Sequence, residues 1–251
     1  MVLSRGPAAP TGRGGRRSPA QPAPAPLVAA KAIVHLLALA PLSLLAWRAW
    51  LVARGIDIDA LGPDPVAAIE HELGQWALRL LLLTLAVTPL RQLTGQPVLL
   101  RFRRMLGLYA FAYASLHFAA WLGLDLGGYW RQVFEEIARR PYVTAGFAAW
   151  LLLLPLALTS TRGWMRRLGR HWGRLHRLAY AIAVLAVLHF WWIVKSDYRE
   201  PLLYAAILAL LLGWRMARRL ARPRTSARPE QQQRGQGRGD ADRGQQQPGE
   251  P

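Results

Sequence analysis

Three histidines, His117, His176 and His189, lie within or at the edges of long apolar segments of the chain. Imidazole is the commonest side-chain ligand for metal ions, and it also binds haem iron in many proteins. An ionisable side chain inside a membrane is costly and therefore indicates a functional role. These residue types in this setting predict that the chain binds a metal or a haem between membrane helices.

The apolar segments are long enough to span a membrane. The chain has 251 residues, of which 53% are hydrophobic, and the apolar residues are concentrated in six blocks. A helix of about 20 residues crosses the ~30 Å hydrocarbon core of a bilayer. The blocks are residues 27–52, 74–90, 105–124, 142–159, 178–194 and 202–216. We therefore predict an all-α integral membrane protein, a bundle of six transmembrane helices.

Positive charge is concentrated in alternate loops. The chain has a formal net charge of +18, and many of its arginines follow the second and fourth apolar blocks. The loop of residues 53–72 instead carries five acidic residues and one arginine. This is the positive-inside pattern, which predicts that both termini are cytoplasmic. Because the arginines are divided among membrane-flanking loops, we expect contact with membrane lipid and no nucleic-acid partner.

Composition divides the chain into three parts. Residues 1–26 are rich in Pro, Ala and Arg, residues 221–251 are rich in Gln, Gly and Arg, and we predict that both tails are disordered. Residues 27–220 form the predicted membrane domain. The absence of cysteine excludes Cys-ligated iron–sulfur clusters, covalently attached haem and thiol chemistry. The loops are too short for a soluble catalytic domain, so we predict that the isolated chain is not an enzyme.

His117 and His189 are expected at similar depths in the membrane. His117 follows the start of the third apolar block at Met105 by about 18 Å of helix, and His189 follows His176 by about 20 Å. Since the third and fifth helices run in the same direction, the two imidazoles can face each other across a flat ligand. Such a pair suits a b-type haem that transfers single electrons. The simpler alternative is that each histidine only forms a hydrogen bond between helices.

His176 lies at the predicted cytoplasmic mouth, where a second haem could bind, so the number of haems is one or two. On a straight helix His176 and His189 are roughly 140° apart, so either the helix is irregular or the two side chains do not share a face. A mate for His176 on the third helix is missing, because Arg103 and Arg104 occupy the expected positions. His35 has a suitable depth and is a further candidate ligand.

Three arginines are candidate cofactor-binding residues. Arg79 lies about 10 Å inside the second helix, where a guanidinium needs an anionic partner such as a haem propionate, unless it extends to the interface. Arg103 and Arg104 belong to the cationic inner surface, which could hold a flavin phosphate or haem propionates. The alternative for this surface is a role in topology and lipid contact alone.

Five segments together carry a resemblance to a known family. Residues 30–218 resemble the haem-binding membrane subunits of the periplasmic protein-methionine-sulfoxide reductase system, the MsrQ family, within the ferric-reductase-like transmembrane superfamily. The resemblance implies that His117, His176 and His189 match the family's haem-associated histidines. The segments are DPVAAIEHELGQWALRLLLLTLAVTPLR, RFRRMLGLYAFAYASLHF, RPYVTAGFAAW, LALTSTRGWMRRLGRHWGRLHRLAYAIAVLAVLHFWWIVKSD and PLLYA.

The resemblance also implies a function and partners. It implies location in the bacterial inner membrane, electrons from the quinone pool, FMN as an additional cofactor, and delivery to a periplasmic molybdenum-containing catalytic subunit, MsrP. A cytoplasmic flavin reductase is the alternative donor, because the chain carries no flavin and nucleotide module after its last helix. Ferric reductases generally use two histidine pairs, and Arg103 and Arg104 depart from that pattern. A second class of function is an ion or proton transporter with intramembrane His and Arg, which predicts a colourless protein.

Overall fold

A computed structural model describes residues 25–221, and this part of the chain is all helical, without a strand. The two predicted tails lie outside the described residues, apart from Ala25, Pro26 and Ala221. The helices are α1 (Ala25–Ala53), α2 (Pro65–Thr94), α3 (Leu100–Ala120), α4 (Trp130–Arg139), α5 (Pro141–Leu158), α6 (Arg162–Leu168), α7 (Arg170–Leu175), α8 (Leu178–Ile193) and α9 (Arg199–Leu220). A 3-10 turn, Pro97–Leu99, precedes α3, and a π-helical turn, Trp121–Asp125, follows it.

Six helical segments are long and apolar enough to cross a membrane, which confirms the predicted bundle of six transmembrane helices. They overlap the six apolar blocks one by one. Their outward faces are apolar, as lipid contact requires; Leu36 and Leu37 on α1, for example, are 69% and 66% exposed. The cytoplasmic position of the termini stays a prediction.

Helix α2 is much longer than its apolar block. It begins at Pro65, where the Asp64 side chain accepts a hydrogen bond from the Ala67 amide, and it ends at Thr94, before Gly95, whose φ of 68° is left-handed. Residues 65–73, including Glu70, extend the helix beyond the apolar block. The apolar pattern could mark only the part of α2 that lies in hydrocarbon, whereas the caps determine where the helix begins and ends.

The fifth predicted helix is interrupted at His176. Helix α7 ends at Leu175 and α8 begins at Leu178, with His176 and Arg177 between them. The sequence left two alternatives for the relation of His176 to His189, and the structure shows the irregular one. Because of this break, the direction of the His176 side chain is not fixed relative to His189 by one continuous helix.

Two helical hairpins, α2 with α3 and α5 with α8, form the centre of the bundle. Leu85 of α2 and Ile182 of α8 are fully buried there. We call the end with loops 95–99 and 159–177 the arginine-rich end, and the end with loops 54–64 and 121–140 the opposite end. The hairpins place the amino-terminal part of α2 beside the carboxy-terminal part of α3, which brings residues from distant positions in the sequence to the opposite end.

Helix α1 is joined to the central hairpins by one buried phenol. The Tyr113 hydroxyl donates to the Ala38 carbonyl over 2.7 Å and accepts from the Leu42 amide over 3.1 Å. The two backbone groups are four residues apart, so the hydroxyl is inserted into the hydrogen-bond ladder of α1, beside Pro41. Tyr113 therefore fixes the otherwise lipid-exposed α1 against α3.

Candidate functional site

A cavity of about 550 Å³ lies between α2, α3, α5 and α8 at the opposite end of the bundle. This volume is in the range of small-molecule and cofactor sites. Its lining is mainly apolar, and His117 and His189 enter it from facing hairpins. The other lining residues that matter here are Glu70, His71, Gly74, Gln75, Leu81, Asp125, Arg140, Tyr142, Gly146 and Leu153.

The structure brings His117 and His189 together, as we expected from their similar depths. The centroids of the two imidazole rings are 6.1 Å apart, and the ring planes make an angle of 72°. Imidazole–metal bonds are about 2 Å long, so one metal atom between two ring nitrogens requires a centroid separation of roughly 6 Å. The separation of the pair therefore fits a single metal atom between the rings.

Backbone hydrogen bonds set the tautomer of both rings. His117 Nδ1 lies 2.8 Å from the Glu70 carbonyl oxygen, and His189 Nδ1 lies 2.7 Å from the Tyr142 carbonyl oxygen. Since a carbonyl oxygen only accepts, each Nδ1 carries the hydrogen and donates it. Each Nε2 is then left with its lone pair, which is the form that binds a metal.

The number of metal ligands that the cavity offers distinguishes a haem from a bare metal ion. Within residues 25–221 no group of three or more His, Asp or Glu side chains is placed to hold a metal ion. A bare transition metal needs about four ligands, and the pair supplies two. A haem brings its own equatorial nitrogens, needs only axial ligands, and buries its ring among apolar side chains. The residues of this cavity therefore fit a bis-imidazole haem.

A glycine lies close to the imidazole ring of each histidine. A Cβ atom added to Gly74 would lie 3.2 Å from Cε1 of His117, and one added to Gly146 would lie 2.7 Å from Cε1 of His189. Each of these glycines is one helical turn after the residue whose carbonyl holds the same ring, Glu70 or Tyr142. The two half-sites are thus built from the same three parts: a carbonyl, a glycine and a histidine.

The equivalence of the half-sites reflects an internal repeat that the sequence analysis missed. Gly146 follows Gly74, and His189 follows His117, by the same 72 positions, and each histidine follows the residue with its carbonyl partner by 47 positions. At this offset the runs Leu80–Leu82 and Leu152–Leu154 coincide, as do Leu116–Phe118 and Leu188–Phe190. The repeated Leu-His-Phe was the signal that could have predicted the pairing.

The rim of this cavity carries polar groups that the sequence analysis did not select. Arg140 is on the lining; its guanidinium donates to the Tyr142 hydroxyl and pairs with Glu136. The hydrogen bond to Tyr142 raises the pKa of the Arg140 guanidinium above its ordinary value. The Glu70 carboxyl has a buried oxygen without a hydrogen-bond partner. Arg140 is the cation placed to meet an anionic group at this mouth.

The structure does not bring Arg79 to the histidine pair. Its guanidinium donates to the Tyr204 hydroxyl over 2.8 Å and to the Gln75 side-chain oxygen over 2.6 Å, and it lies 5.0 Å from the Trp76 ring centre. Arg79 is absent from the cavity lining. Two neutral acceptors, the Tyr204 hydroxyl and the Gln75 side-chain oxygen, thus take the place of the anionic partner that the sequence led us to expect.

A second cavity, of about 320 Å³, lies at the arginine-rich end, where His176, Arg101, Arg103 and Arg104 line it. The His176 ring is stacked on Trp172, with ring centroids 3.9 Å apart, and its Nδ1 lies 3.2 Å from the Trp172 carbonyl oxygen. Leu81 and Leu153 line both cavities, so two leucine side chains separate them. By the repeat, Leu81 and Leu153 are equivalent positions, and Arg104 is equivalent to His176.

The remaining histidines are not brought to His176. His35 is exposed, and its Nδ1 lies 2.7 Å from the Tyr109 hydroxyl, away from the second cavity. His171 is exposed on α7. His71 lines the first cavity and lies 2.9 Å from the Gln75 amide nitrogen. Among residues 25–221, His176 is the one histidine that lines the second cavity.

The arginines of the second cavity are free of carboxylates in the part of the chain that the structure describes. The ion pairs within residues 25–221 are Arg48–Glu72, Arg131–Glu135 and Arg140–Glu136, and all three lie toward the opposite end of the bundle. An apolar cavity with several guanidiniums at its mouth can hold a ligand with a planar or apolar body and an anionic group.

Comparisons with known proteins agree on one family. The model of the ferric reductase like transmembrane component matches residues 73–187. The protein-methionine-sulfoxide reductase heme-binding subunits MsrQ of Xanthomonas euvesicatoria pv. vesicatoria and Xanthomonas campestris pv. campestris are both 68% identical over 202 residues, 80% of this chain and 92% of each relative. The MsrQ of Bordetella pertussis is 52% identical over 170 residues, 67% of this chain and 81% of that relative. No solved structure matches the chain.

A likeness of this extent, together with six membrane-length helices, shows a multi-pass bacterial membrane protein. The chain belongs to the MsrQ family of protein-methionine-sulfoxide reductase heme-binding subunits.

Proposed function

We propose that this chain is the membrane electron-transfer subunit of a methionine sulfoxide reductase system, with a b-type haem held by His117 and His189. The observation that carries this proposal is the pair of imidazoles 6.1 Å apart, each with Nδ1 bound to a backbone carbonyl and Nε2 left as a ligand. When bound, a bis-imidazole haem supplies one-electron transfer, because no open iron position remains for a substrate.

The chain's own residues have three tasks in this function. His117 and His189 would hold the iron near the opposite end, which the positive-inside pattern predicts to be periplasmic. The apolar lining excludes water from the ring. Arg140 and the polar rim face the mouth, where a periplasmic molybdenum-containing catalytic subunit would receive electrons.

We propose that electrons enter the chain at the second cavity. Quinol oxidation releases two electrons and two protons, and reduction of a sulfoxide to a thioether consumes two of each and releases water. Arg103, Arg104 and His176 line the cavity at the end assigned to the cytoplasm, one pair of leucines away from the first cavity. They suit the anionic group of an FMN or the propionates of a second haem, and the donor is a quinol or a cytoplasmic flavin reductase.

Visible spectra of the purified full chain test the haem proposal. We expect b-type Soret and α bands, and we expect His117→Ala and His189→Ala each to remove the contribution of the same haem, whereas His171→Ala, at an exposed site, keeps the full bands. A colourless protein from haem-replete cells would reject electron transfer and favour the ion or proton transporter. Retention of the full haem content in both variants would reject the pairing.

Haem and flavin contents test the second cavity. Loss of one of two haems in His176→Ala would support a second haem, whereas loss of FMN in Arg103→Gln or Arg104→Gln would support a flavin site. Arg166→Gln removes an exposed arginine from the same end and serves as the control. Rapid mixing of the oxidised chain with a quinol, and separately with a reduced flavoprotein, distinguishes the two donors.

A further inference from the structure

The orientation of an axial imidazole is not determined by its own rotamer. The torsion that turns a histidine ring about the Cβ–Cγ bond has a broad energy profile, so contacts from outside the side chain must fix the ring plane. At His117 and His189 two such contacts act on each ring: a hydrogen bond at Nδ1 and a glycine against the ring.

The two contacts act on each ring in the same way. The carbonyls of Glu70 and Tyr142 hold Nδ1 at 2.8 and 2.7 Å. The glycine one turn later leaves room that a methyl group would fill, since an added Cβ would also lie 3.3 Å from Nδ1 of His117 at Gly74 and 2.7 Å from Nδ1 of His189 at Gly146. A ring held at its nitrogen and packed on the helix backbone has little freedom to turn.

The two half-sites place the rings at a large angle to each other. Equivalent carbonyl, glycine and histidine positions in the two hairpins present the rings to each other, and the result is an interplanar angle of 72°. When axial imidazoles are nearly perpendicular, the two iron d orbitals that overlap with them become nearly equal in energy. The ferric low-spin state then has a highly anisotropic EPR spectrum, and the reduction potential is higher than with parallel rings.

We propose that Gly74 and Gly146, with the carbonyls of Glu70 and Tyr142, are positioning residues that hold the two axial imidazoles nearly perpendicular and thereby set the EPR signature and reduction potential of the haem. The proposal rests on the proposed haem ligation by His117 and His189. Ring orientation by hydrogen bonds to the second ring nitrogen is a general means of tuning a bound metal.

The first test is the EPR spectrum of the oxidised, haem-loaded full chain in the His176→Ala background, which removes any haem at the second cavity. We expect a low-spin signal of large g anisotropy. An ordinary rhombic spectrum with haem present would overturn the proposal while leaving the haem function intact. Absence of haem from the unsubstituted chain would instead overturn the proposed function itself.

The second test compares three glycine substitutions for haem content, EPR spectrum and midpoint potential. Gly146→Ala is expected to reduce the g anisotropy and lower the potential more than Gly74→Ala, because its Cβ clearance is smaller. Gly213→Ala, where an added Cβ meets nothing within 4 Å, is expected to change neither. If Gly146→Ala loses haem, Gly74→Ala decides: a shifted signal supports the proposal, and an unchanged signal and potential overturn it.

Discussion

At the scale of single residues, the same side-chain type has different roles according to its contacts. His117 and His189 each have one ring nitrogen bound to a carbonyl and one directed away from it, whereas His35 is bound to Tyr109 and exposed. Arginines differ similarly: Arg79 is held by side chains inside the bundle, and Arg140 lines the cavity mouth. The immediate partners distinguish a candidate ligand from a structural residue.

Arg79→Leu is expected to lower stability and leave the haem in place. The substitution removes the hydrogen bonds to Tyr204 and Gln75 and the contact with Trp76, and a loss of about 1–3 kcal/mol in unfolding free energy is expected from a part-buried polar group that loses its partner. Thermal unfolding followed in detergent, with haem content measured in parallel, checks this. Tyr204→Phe, which removes one of the same hydrogen bonds, should reproduce a smaller part of the loss.

Loss of haem from Arg79→Leu at unchanged stability would contradict this prediction. It would mean that the guanidinium reaches the cofactor, as the sequence analysis suggested, although the structure places it outside the cavity.

At the scale of helices, a proline inside α2 leaves a backbone carbonyl without its usual donor, and a side chain from another helix supplies one. Pro89 of α2 cannot donate to the Leu85 carbonyl one turn earlier. Arg215 of α9 supplies the missing donor over 2.7 Å, and its guanidinium lies 4.7 Å from the Tyr180 ring centre. The hydrogen bond that Pro89 removes from α2 is thus replaced by one that joins α9 to the central hairpins.

A double-mutant cycle measures this connection. Arg215→Met leaves the Leu85 carbonyl without a donor and should cost about 1–3 kcal/mol of unfolding free energy. In a Pro89→Ala background the amide of residue 89 can restore the helical hydrogen bond, so Arg215→Met should cost less there. Unfolding free energies of the four proteins give the coupling; equal costs in both backgrounds would show that Arg215 does not act through this carbonyl.

At the scale of the whole molecule, the two cavities lie one above the other along the bundle, with Leu81 and Leu153 between them. The hairpin repeat explains this arrangement, since each hairpin contributes one ring and one leucine at equivalent positions. The repeat is incomplete at the arginine-rich end, where Arg104 is the repeat equivalent of His176 and both line the second cavity. The two ends of the molecule are therefore suited to different ligands.

Cysteine labelling tests the direction in which this asymmetric bundle crosses the membrane. The chain has no cysteine, so Ile58→Cys and Arg166→Cys each introduce a single thiol at an exposed site at one end. A membrane-impermeant maleimide added to intact spheroplasts should label Ile58→Cys and spare Arg166→Cys until the membrane is opened. The unsubstituted chain controls for background, and the reverse labelling would show that the arginine-rich end is periplasmic.

The sequence by itself determined the medium, the number of membrane helices and the depth of the histidines, because hydrophobic length and helical rise are local properties. The Leu-His-Phe repeat is also present in the sequence, but its role became clear only when the structure showed that its two histidines, His117 and His189, form a pair. The tertiary structure alone decided the partners: the carbonyls and glycines behind the two rings, the Tyr204 hydroxyl beside Arg79, and the break that releases His176. These depend on which faces of distant helices meet, and no local pattern in the chain specifies that packing.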